Sequence, residues 1–555
     1  MNPPQPLRND YYLSNVLTLI EVVTSQYSDL MSTSELTWLH TFGQLSDDAK
    51  KLYIRLLSRK GALFRFDKLA YSEIDNIELA AIELANGQFA FIFQQEKENT
   101  PTWPVNLAAV SALFTKPELL RLFDELSAWK SYKKDKLVDA LCQLSPDISA
   151  FQQDIIELRQ TEHLNVFLLL FFGNSHQSLT DFVLSDLGIQ HYENYNIDRQ
   201  YRFFNARENI EQWLALSALN ELYWQAKEEK DFTAIEVMAN QLPQPIEWLP
   251  LERKRQKLIN HIARDLERFA KNSSTKLESA RLLFSQSELP PSRERQVRIL
   301  DKQHNYADAY QLACEMQLAP KSEEEADIAA TLVGKLARKL SLSAPPRKKP
   351  RFTNSFLTLN NTDTSVELVV AEHYSQQGWQ CYFLENTFIC GLFGLTFWDI
   401  IFSDVKGAFL NPFQRSPKGM FTPEFYQQRK AALDKRLEEL QSGHWQHWLD
   451  VFQEKQGITN DWVNWTLLTP NIINHAIAHF PIEALCTLFK RILFDPKSNR
   501  SGFPDLIAFN EHTFRWIEVK GPGDKLQSNQ IRWLNVFEEL ELPAEVVYVE
   551  WSEAQ

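Results

Sequence analysis

One stretch, Gly502–Asp524, limits what this chain can fold into more than any other. It contains two short apolar runs, Leu506–Phe509 and Trp516–Val519, with the polar residues Asn510–Thr513 between them. Apolar runs this short, bounded by glycine, proline and polar residues, are typical of β-strands, and a short polar connection between two of them predicts a β-hairpin. The fold must therefore contain a sheet that is built around this hairpin.

Charged residues stand at the ends of both predicted strands. Asp505 begins the first strand, and Glu518 and Lys520 end the second. Because side chains alternate along a strand, Glu518 and Lys520 share one face, and two carboxylates and an ammonium converge at one sheet edge. Two carboxylates are hard oxygen ligands that suit Mg²⁺ or Mn²⁺, and the carbonyl oxygen of Val519 would add a third. Such an ion activates water against a phosphate, and Lys520 would stabilise the developing charge. The alternative is an ordinary charged hairpin with a salt bridge.

The residues around the hairpin favour the metal-site interpretation. Gly502 and Pro504 set a turn before the first strand, and Gly521–Gly523 stops the second. Lys525–Leu540 has the apolar spacing of an amphipathic helix, and Ala544–Trp551 reads as a further strand. Two strands, a helix and a strand, with the charges on the first two, form the half-core of a restriction-nuclease-like α/β fold.

These residues resemble a known family. Gly502–Leu506, Ile517–Gly521 and Lys525–Leu534 resemble the VRR-NUC branch of the PD-(D/E)xK nucleases, and Val366–Leu368 and Gly391–Phe402 are similar to the Fanconi-associated nuclease family, in a bacterial-type member. The resemblance runs in family order from about residue 10 onward. It implies a metal-dependent, structure-specific DNA nuclease of DNA repair, with 5′ flap endonuclease and 5′-to-3′ exonuclease activity and a role at interstrand crosslinks.

The same resemblance assigns a metal ligand on the first helix of the nuclease domain. Nucleases of this fold take one metal-binding glutamate from that helix, and Glu367 lies in the first turn of the predicted helix 366–377. Glu372 on the same helix and Glu385 at a strand end are weaker candidates. The predicted metal ligands are Glu367, Asp505, Glu518 and Val519, and the predicted catalytic residues are Asp505, Glu518 and Lys520.

The overall charge of the chain does not by itself indicate a DNA-binding protein. The 555 residues carry 72 acidic and 58 basic side chains, for a formal net charge of −14. A chain with this balance must concentrate its Lys and Arg residues on one face to hold DNA. Three basic clusters are candidates for that face: Arg55, Arg59, Lys60 and Arg65; Lys130, Lys133, Lys134 and Lys136; and Lys497 with Arg500.

The first two clusters lie in segments predicted to bind DNA. Residues 1–110 are predicted as a helical N-terminal DNA-binding module, although a solvated helix end explains its basic cluster equally well. Residues 111–150 place two short helices around a lysine-rich turn and resemble a SAP-type DNA-binding motif, although a helix–loop–helix with lysines is common.

The rest of the chain is predicted as follows. Residues 151–342 read as paired amphipathic helices that resemble a tetratricopeptide-like array, with the basic run Arg253–Lys257 on a solvated face. Residues 343–353 form a basic, proline-broken linker. The nuclease domain spans residues 354–555, with a helical insertion at about 404–495. The predicted fold class is therefore multidomain and mostly α-helical, with a C-terminal α/β nuclease domain.

Composition narrows the compartment. The 5 cysteines are scattered without a C-x-x-C pair, which indicates neither a zinc site nor a disulfide framework. The first residues lack an apolar signal core, and no apolar run reaches membrane-spanning length. The expectation is a protein without a membrane association, cytoplasmic, with the nucleoid if bacterial and nuclear if eukaryotic.

Two rival functions stay open. Short VRR-NUC proteins resolve Holliday junctions as dimers, but the long N-terminal segments here argue against that role. A non-catalytic DNA-binding scaffold is the second, and the intact Asp505, Glu518 and Lys520 argue against it. The expected partners are branched or flapped DNA, with protein partners through the helical array, and the oligomeric state stays open.

Overall fold

The computed structural model describes residues 10–93, 107–144, 151, 153–174, 190–271, 273–343, 352–360, 364–443 and 447–552. The chain is mostly helical and forms two compact units, Met1–Gln190 with Ile197–Arg207 and His191–Asn196 with Glu208–Gln555. The multidomain, mostly α-helical fold class is thereby confirmed. The finer domain boundaries stay a prediction, and most of the predicted linker lies outside the described residues.

The first unit packs helices against a small antiparallel sheet. Its strands, in the order β1–β3–β2, are β1 Leu63–Arg65, β2 Ala90–Phe93 and β3 Ile155–Leu158. Its helices are α1 Tyr11–Tyr27, α2 Thr33–Gln44, α3 Asp47–Leu57, α4 Ile77–Asn86, α5 Leu107–Ala112, α6 Lys116–Leu122, α7 Lys134–Leu144 and α8 Thr161–Phe172. The expectation of paired helices over residues 151–342 was wrong at β3, where a run of apolar and β-branched residues supplies the central strand.

In the second unit, residues 207–339 form a succession of helices that pack on their neighbours. These helices are α9 Arg207–Glu229, α10 Phe232–Ala239, α11 Leu249–Ala270, α12 Ser274–Phe284, α13 Ser292–Lys302, α14 Tyr306–Leu318 and α15 Glu323–Lys339. Ala280, Ala309 and Ala313 are fully buried where helices meet, because a small side chain lets two helix backbones approach closely. The paired amphipathic helices predicted from the sequence are present.

A five-stranded sheet forms the centre of the nuclease segment. The elements are β4 Thr353–Leu359, α16 Val366–Gln376, β5 Gln380–Phe383, α17 Thr387–Thr396, α18 Trp398–Ile401, α19 Pro423–Gln441, α20 His447–Lys455, α21 Pro470–His479, α22 Ile482–Phe494, α23 Pro496–Asn499, β6 Leu506–Phe509, β7 Phe514–Lys520, α24 Ser528–Glu539 and β8 Ala544–Trp551. The strand order is β4–β8–β7–β6–β5. β8 pairs in parallel with β4 and β7, whereas β6 pairs antiparallel with β5 and β7.

The two faces of this sheet are covered by different helices. On one face, Val370 and Tyr374 of α16 join a core with Ile517 and Val547. On the other face, Trp516 stacks on Phe537 of α24, with ring centroids 5.4 Å apart. Both faces are therefore anchored near the β6–β7 hairpin.

Within the described ranges, no single helix is both long and apolar enough to cross a membrane. The bent pair α21 and α22 passes that test only when its two halves are taken together. Leu485, Leu488 and Phe489 of α22 are fully buried in the protein. The apolar character of this pair is thus explained by packing within the unit.

Candidate active site

The predicted hairpin is present, and its register brings the charged residues together. β6 pairs with β7 so that Leu506 lies opposite Ile517, and Asp505 therefore reaches the level of Glu518. The Asp505 Oδ2 atom accepts a hydrogen bond of 2.8 Å from the backbone N–H of Val519. That bond ties the start of β6 to the end of β7 and fixes the carboxylate between the strands.

The turn before Asp505 depends on a glycine. Gly502 has φ +94°, and a Cβ atom at this position would lie 2.8 Å from the side chain and 2.9 Å from the backbone of Asn529. Its N–H donates a hydrogen bond of 2.8 Å to Asn386 Oδ1. A side chain at residue 502 would therefore displace the segment that carries Asp505.

Glu518 is a buried carboxylate whose oxygens lack hydrogen bonds. Its side chain is 0% exposed, and Lys520 Nζ lies 2.7 Å from Oε1 as an ion pair. Within the described part of the chain, neither carboxylate oxygen accepts a hydrogen bond. Burial, with the nearby negative charge of Asp505, raises the pKa of Glu518 to about 7 despite Lys520. A buried carboxylate in this state is costly unless a cation joins it.

Asp505 shares that electrostatic situation. Burial raises the pKa of Asp505, the Val519 N–H bond and Lys520 oppose the rise, and the charges of Glu367 and Glu385 add to it. Glu367 and Glu385 therefore come near Asp505 from elements far away in sequence. Glu372 lies further along α16 and is exposed. The predicted assignment of Glu367 over Glu372 fits this placement.

Glu385 occupies an unusual backbone position beside the site. Its φ is +35°, in the left-handed region that residues with a side chain rarely adopt. Its N–H donates a hydrogen bond of 3.0 Å to the carbonyl oxygen of Asp505. Backbone strain of this kind concentrates at functional sites, where surrounding contacts hold it. Glu385 thus positions the Asp505 segment.

The oxygen atoms at this edge fit a divalent metal ion. Glu518 offers two buried carboxylate oxygens without hydrogen bonds, and Asp505 keeps one oxygen that Val519 does not occupy. Hard oxygen ligands of this kind suit Mg²⁺ or Mn²⁺. Among the residues that the structure describes, no three His, Cys, Asp or Glu side chains are gathered closely enough to complete a metal site. The fit therefore rests on the Asp505–Glu518 pair.

The predicted DNA contacts near the hairpin are exposed. Lys497 lies on the short helix α23, and Arg500 follows it, with its guanidinium carbon 4.4 Å from the centroid of the Phe421 ring. Lys497 also contributes to a positive field at Lys257 of α11. The sequence alone does not indicate that these two residues lie near each other, because about 240 residues separate them.

That connection reveals a basic cluster, Arg253, Lys254, Lys257, Lys418 and Lys497. Burial lowers the pKa of both Lys254 and Lys418 to about 8, and the charges of Lys254 and Lys257 add to the lowering at Lys418. The expectation that Arg253–Lys257 forms a solvated face holds for Lys257, which is exposed, and was wrong for Arg255, which is 2% exposed, and for Lys254, which donates a hydrogen bond to Ser217 Oγ. Glu424 pairs with Arg253 at 2.6 Å, and the remaining concentration of cations favours an anion such as phosphate.

In the first unit, the four arginine and lysine candidates fall into two groups. Arg59 and Lys60 are exposed at the end of α3. Arg65 is 5% exposed and makes two hydrogen bonds to Asp67, with Glu118 at 3.1 Å. Arg55 makes an ion pair of 2.6 Å with Glu73. Arg65 and Arg55 thus hold the unit together, and the predicted DNA contacts that stay exposed are Arg59 and Lys60.

The four lysines of the lysine-rich segment also fall into two groups. Lys130, Lys133 and Lys136 are exposed around the turn that precedes α7. Lys134 instead donates a hydrogen bond of 2.6 Å to the carbonyl oxygen of Ala112 at the end of α5. Three lysines of the SAP-like segment therefore keep exposed side chains, and their contact with DNA stays a prediction, whereas Lys134 connects two helices.

Two family models match the chain: the FAN1, HTH domain over residues 10–90, and the VRR-NUC domain over residues 441–551. A Fanconi-associated nuclease 1 homolog from Pseudomonas aeruginosa is 32% identical over 99% of this chain and 96% of its own length. A homolog from Oryza sativa subsp. japonica is 24% identical over 97% of this chain, which spans 62% of that relative.

A solved structure matches the whole fold as well. The crystal structure of paFAN1 bound to 2nt 5′ flap DNA with a gap has a TM-score of 0.85 and 31% sequence identity, and covers 100% of both chains. The paFAN1 complex with 1nt 5′ flap DNA gives a TM-score of 0.80. Together with the near full-length identity to the Pseudomonas relative, these matches show that this chain belongs to the Fanconi-associated nuclease family.

Proposed function

We propose that this protein is a divalent-metal-dependent, structure-specific DNA nuclease that cleaves 5′ flaps in DNA repair. The observation that carries the proposal is Glu518, a fully buried carboxylate with unsatisfied oxygens beside Asp505 and Lys520. The flap DNA in the paFAN1 crystal structures supports the choice of substrate. A 5′-to-3′ exonuclease activity and a role at interstrand crosslinks follow from the family.

The residues of the hairpin have distinct roles in this reaction. Asp505, Glu518 and the carbonyl oxygen of Val519, with Glu367, would hold Mg²⁺ or Mn²⁺. Such an ion, when bound, polarises the scissile phosphate and supplies a hydroxide nucleophile at neutral pH. The ammonium of Lys520 stabilises the negative charge that develops on the phosphate. Burial of Glu518 and Lys520 excludes bulk water and strengthens these electrostatic interactions.

Choice of the flap requires contacts away from the hairpin, because every DNA presents the same phosphate. The basic cluster, which includes Lys497, supplies cations in the unit that holds the hairpin, and Arg500 adds another. Arg59, Lys60 and the exposed lysines of the SAP-like segment supply them in the first unit. Phosphate contacts of this kind fix the position of a duplex without reading its sequence. The protein would act where its DNA lies, at the nucleoid or in the nucleus.

One assay separates this function from its rivals. Purified protein is incubated with labelled 5′ flap, four-way junction and linear duplex DNA, with Mg²⁺ or Mn²⁺, and Asp505→Asn serves as the catalytic control. We expect cleavage of the flap well above that of the other two. Paired, symmetric cuts in the junction as the dominant product would favour the resolvase. Binding without cleavage of any substrate, in either metal, would favour the scaffold.

A further inference from the structure

On the nuclease sheet, an exposed phenylalanine stacks on a half-buried tyrosine. Phe356 on β4 is 73% exposed, more than any other aromatic side chain in the described ranges. Its ring stacks on that of Tyr548 on β8, with centroids 5.5 Å apart and planes at 21°. A phenylalanine side chain in water forgoes the favourable free energy of burial. Stacking also holds the two rings nearly parallel. This pair is therefore a preformed flat apolar surface.

Strand register places this surface beside the catalytic residues. Tyr548 is the partner of Lys520 on β7, and Phe356 is the partner of Tyr548 on β4. Partners in neighbouring strands point to the same face of a sheet, so Phe356 and Tyr548 share the face of Glu518 and Lys520. At about 4.8 Å per strand, Phe356 lies roughly 10 Å from Lys520 along the sheet.

The surroundings of the pair argue against a missing piece of core. On this face, Asn354 and Thr358 of β4 and Glu550 of β8 are exposed, whereas Val546, the other neighbour on β8, is buried. A face that docks a strand or a helix of another copy would carry further apolar residues there. The pair is an isolated aromatic site on a polar face that continues from the catalytic centre.

We propose that Phe356 and Tyr548 form a stacking platform for an unpaired nucleobase of the DNA strand near the scissile phosphate. The inference rests on the proposed nuclease function and deepens it. Aromatic side chains bind single-stranded DNA by stacking, and every base offers a π-face, so the platform needs no sequence. A base within a duplex is already stacked and cannot present its face. The platform therefore selects for an unpaired nucleotide beside the cut.

A fluorescent base tests the platform directly. Full-length protein is titrated without divalent cation into 5′ flap substrates that carry 2-aminopurine at successive positions around the expected cut. We expect wild-type protein to change the 2-aminopurine emission at one or two adjacent positions. Phe356→Ala should abolish that change and weaken flap binding about 5- to 150-fold, since stacking on one aromatic residue is worth ~1–3 kcal/mol. Phe356→Trp should keep both the change in 2-aminopurine emission and the wild-type affinity for the flap.

Controls separate this inference from the proposed function. Thr358→Ala removes a side chain from the same strand and face without a ring, and it should bind and respond as wild type does. If wild-type protein cleaves flaps and Phe356→Ala gives wild-type affinity and emission, the platform is wrong and the nuclease function stands. If wild-type protein cleaves no flap, the function itself fails. A dimer that Phe356→Ala dissociates, with unchanged flap affinity, would assign the ring to an interface between copies and overturn the platform.

Discussion

Two buried glutamates lie on opposite faces of one sheet, and the chain treats them in opposite ways. Glu545 on β8 accepts hydrogen bonds from Tyr374 at 2.9 Å, Arg515 at 2.8 Å and Ser355. Burial would raise its pKa, but Ser355, Arg515 and Tyr374 together lower it. Glu518 on β7 has Lys520 alone and no hydrogen bond in the described structure, and burial raises its pKa to about 7.

The difference separates a structural charge from a functional one. A protein that buries a carboxylate for stability surrounds it with donors, as at Glu545. At Glu518 the chain leaves the oxygens unsatisfied, which costs stability and keeps them available for a ligand. Burial alone does not separate the two glutamates; the difference is the set of hydrogen-bond donors that Glu545 has and Glu518 lacks. The predictions below test that distinction.

The largest expected effect is on catalysis. Glu518→Gln, Asp505→Asn or Lys520→Met should each reduce flap cleavage by at least about a thousand-fold, because each removes a group that stabilises the transition state or holds its metal. Flap binding should stay within a few-fold of wild type, as measured by anisotropy. Glu545→Gln, the matched variant on the other face, should cleave normally per folded molecule. Cleavage near the wild-type rate in any of the first three would contradict the site assignment.

The next effect reverses the roles of the two glutamates. Glu545→Ala should lower the free energy of unfolding by roughly 2–4 kcal/mol, because three donors lose their acceptor. Glu518→Gln should leave it unchanged or raise it by about 1 kcal/mol, because a buried charge near Asp505 disappears. Urea unfolding in EDTA, followed by tryptophan fluorescence, measures both. An equal loss in the two variants would mean that Glu518 is a structural ion-pair residue.

A pair of glycines sharpens the geometric requirement. Gly502→Ala should reduce cleavage about 10- to 100-fold, since its Cβ would collide with Asn529 and shift Asp505. Gly443 has a similar φ of +96°, but no atom lies within 4 Å of its Cβ position. Gly443→Ala should therefore share only the backbone strain, with a small loss of stability and normal cleavage. Comparable activity in the two variants would show that the turn at residue 502 does not position the carboxylate.

The smallest expected effect concerns the exposed lysines. Replacing Lys130, Lys133 and Lys136 with alanine should weaken flap binding about ten-fold and reduce the slope of log affinity against log salt by about 2–3. Lys134→Ala should leave the slope unchanged, because that lysine bonds to Ala112 within the unit. Binding titrations at salt concentrations of about 50 to 200 mM measure this slope. An unchanged slope in the triple variant would remove these lysines from the DNA contacts.

The sequence predicts the local half of the site well. The β6–β7 hairpin and the strand Ala544–Trp551 follow from short apolar runs and turn residues, because neighbouring strands pair through a short loop. Asp505, Glu518 and Lys520 lie within one such unit, so their convergence depends on nothing remote. Resemblance to the family supplies Glu367, which no local pattern brings to the hairpin.

What the sequence could not predict depends on long-range pairing. β8 lies beside β4, about 190 residues earlier, and no local periodicity encodes that parallel ladder. The contact between Phe356 and Tyr548 therefore cannot be predicted from the sequence. The basic run at Arg253 was assigned to solvent because charge alone predicts exposure, yet Arg255 is buried and donates hydrogen bonds to the carbonyl oxygens of Pro243 and Gln286, which lie outside its helix. Tertiary partners decided each of these cases.

The position of β8 within its sheet bears on how the protein is made by the ribosome. β8 is the last of the five strands to be synthesised, yet it lies between β4 and β7. Until residues 544–551 leave the exit tunnel, β4 lacks the strand it pairs with and β7 has one open side. A nascent chain therefore carries Asp505, Glu518 and Lys520 before the sheet that supports them can close. We therefore expect a partly translated copy to cleave no DNA, because the sheet that supports the cutting centre closes only when translation has passed β8.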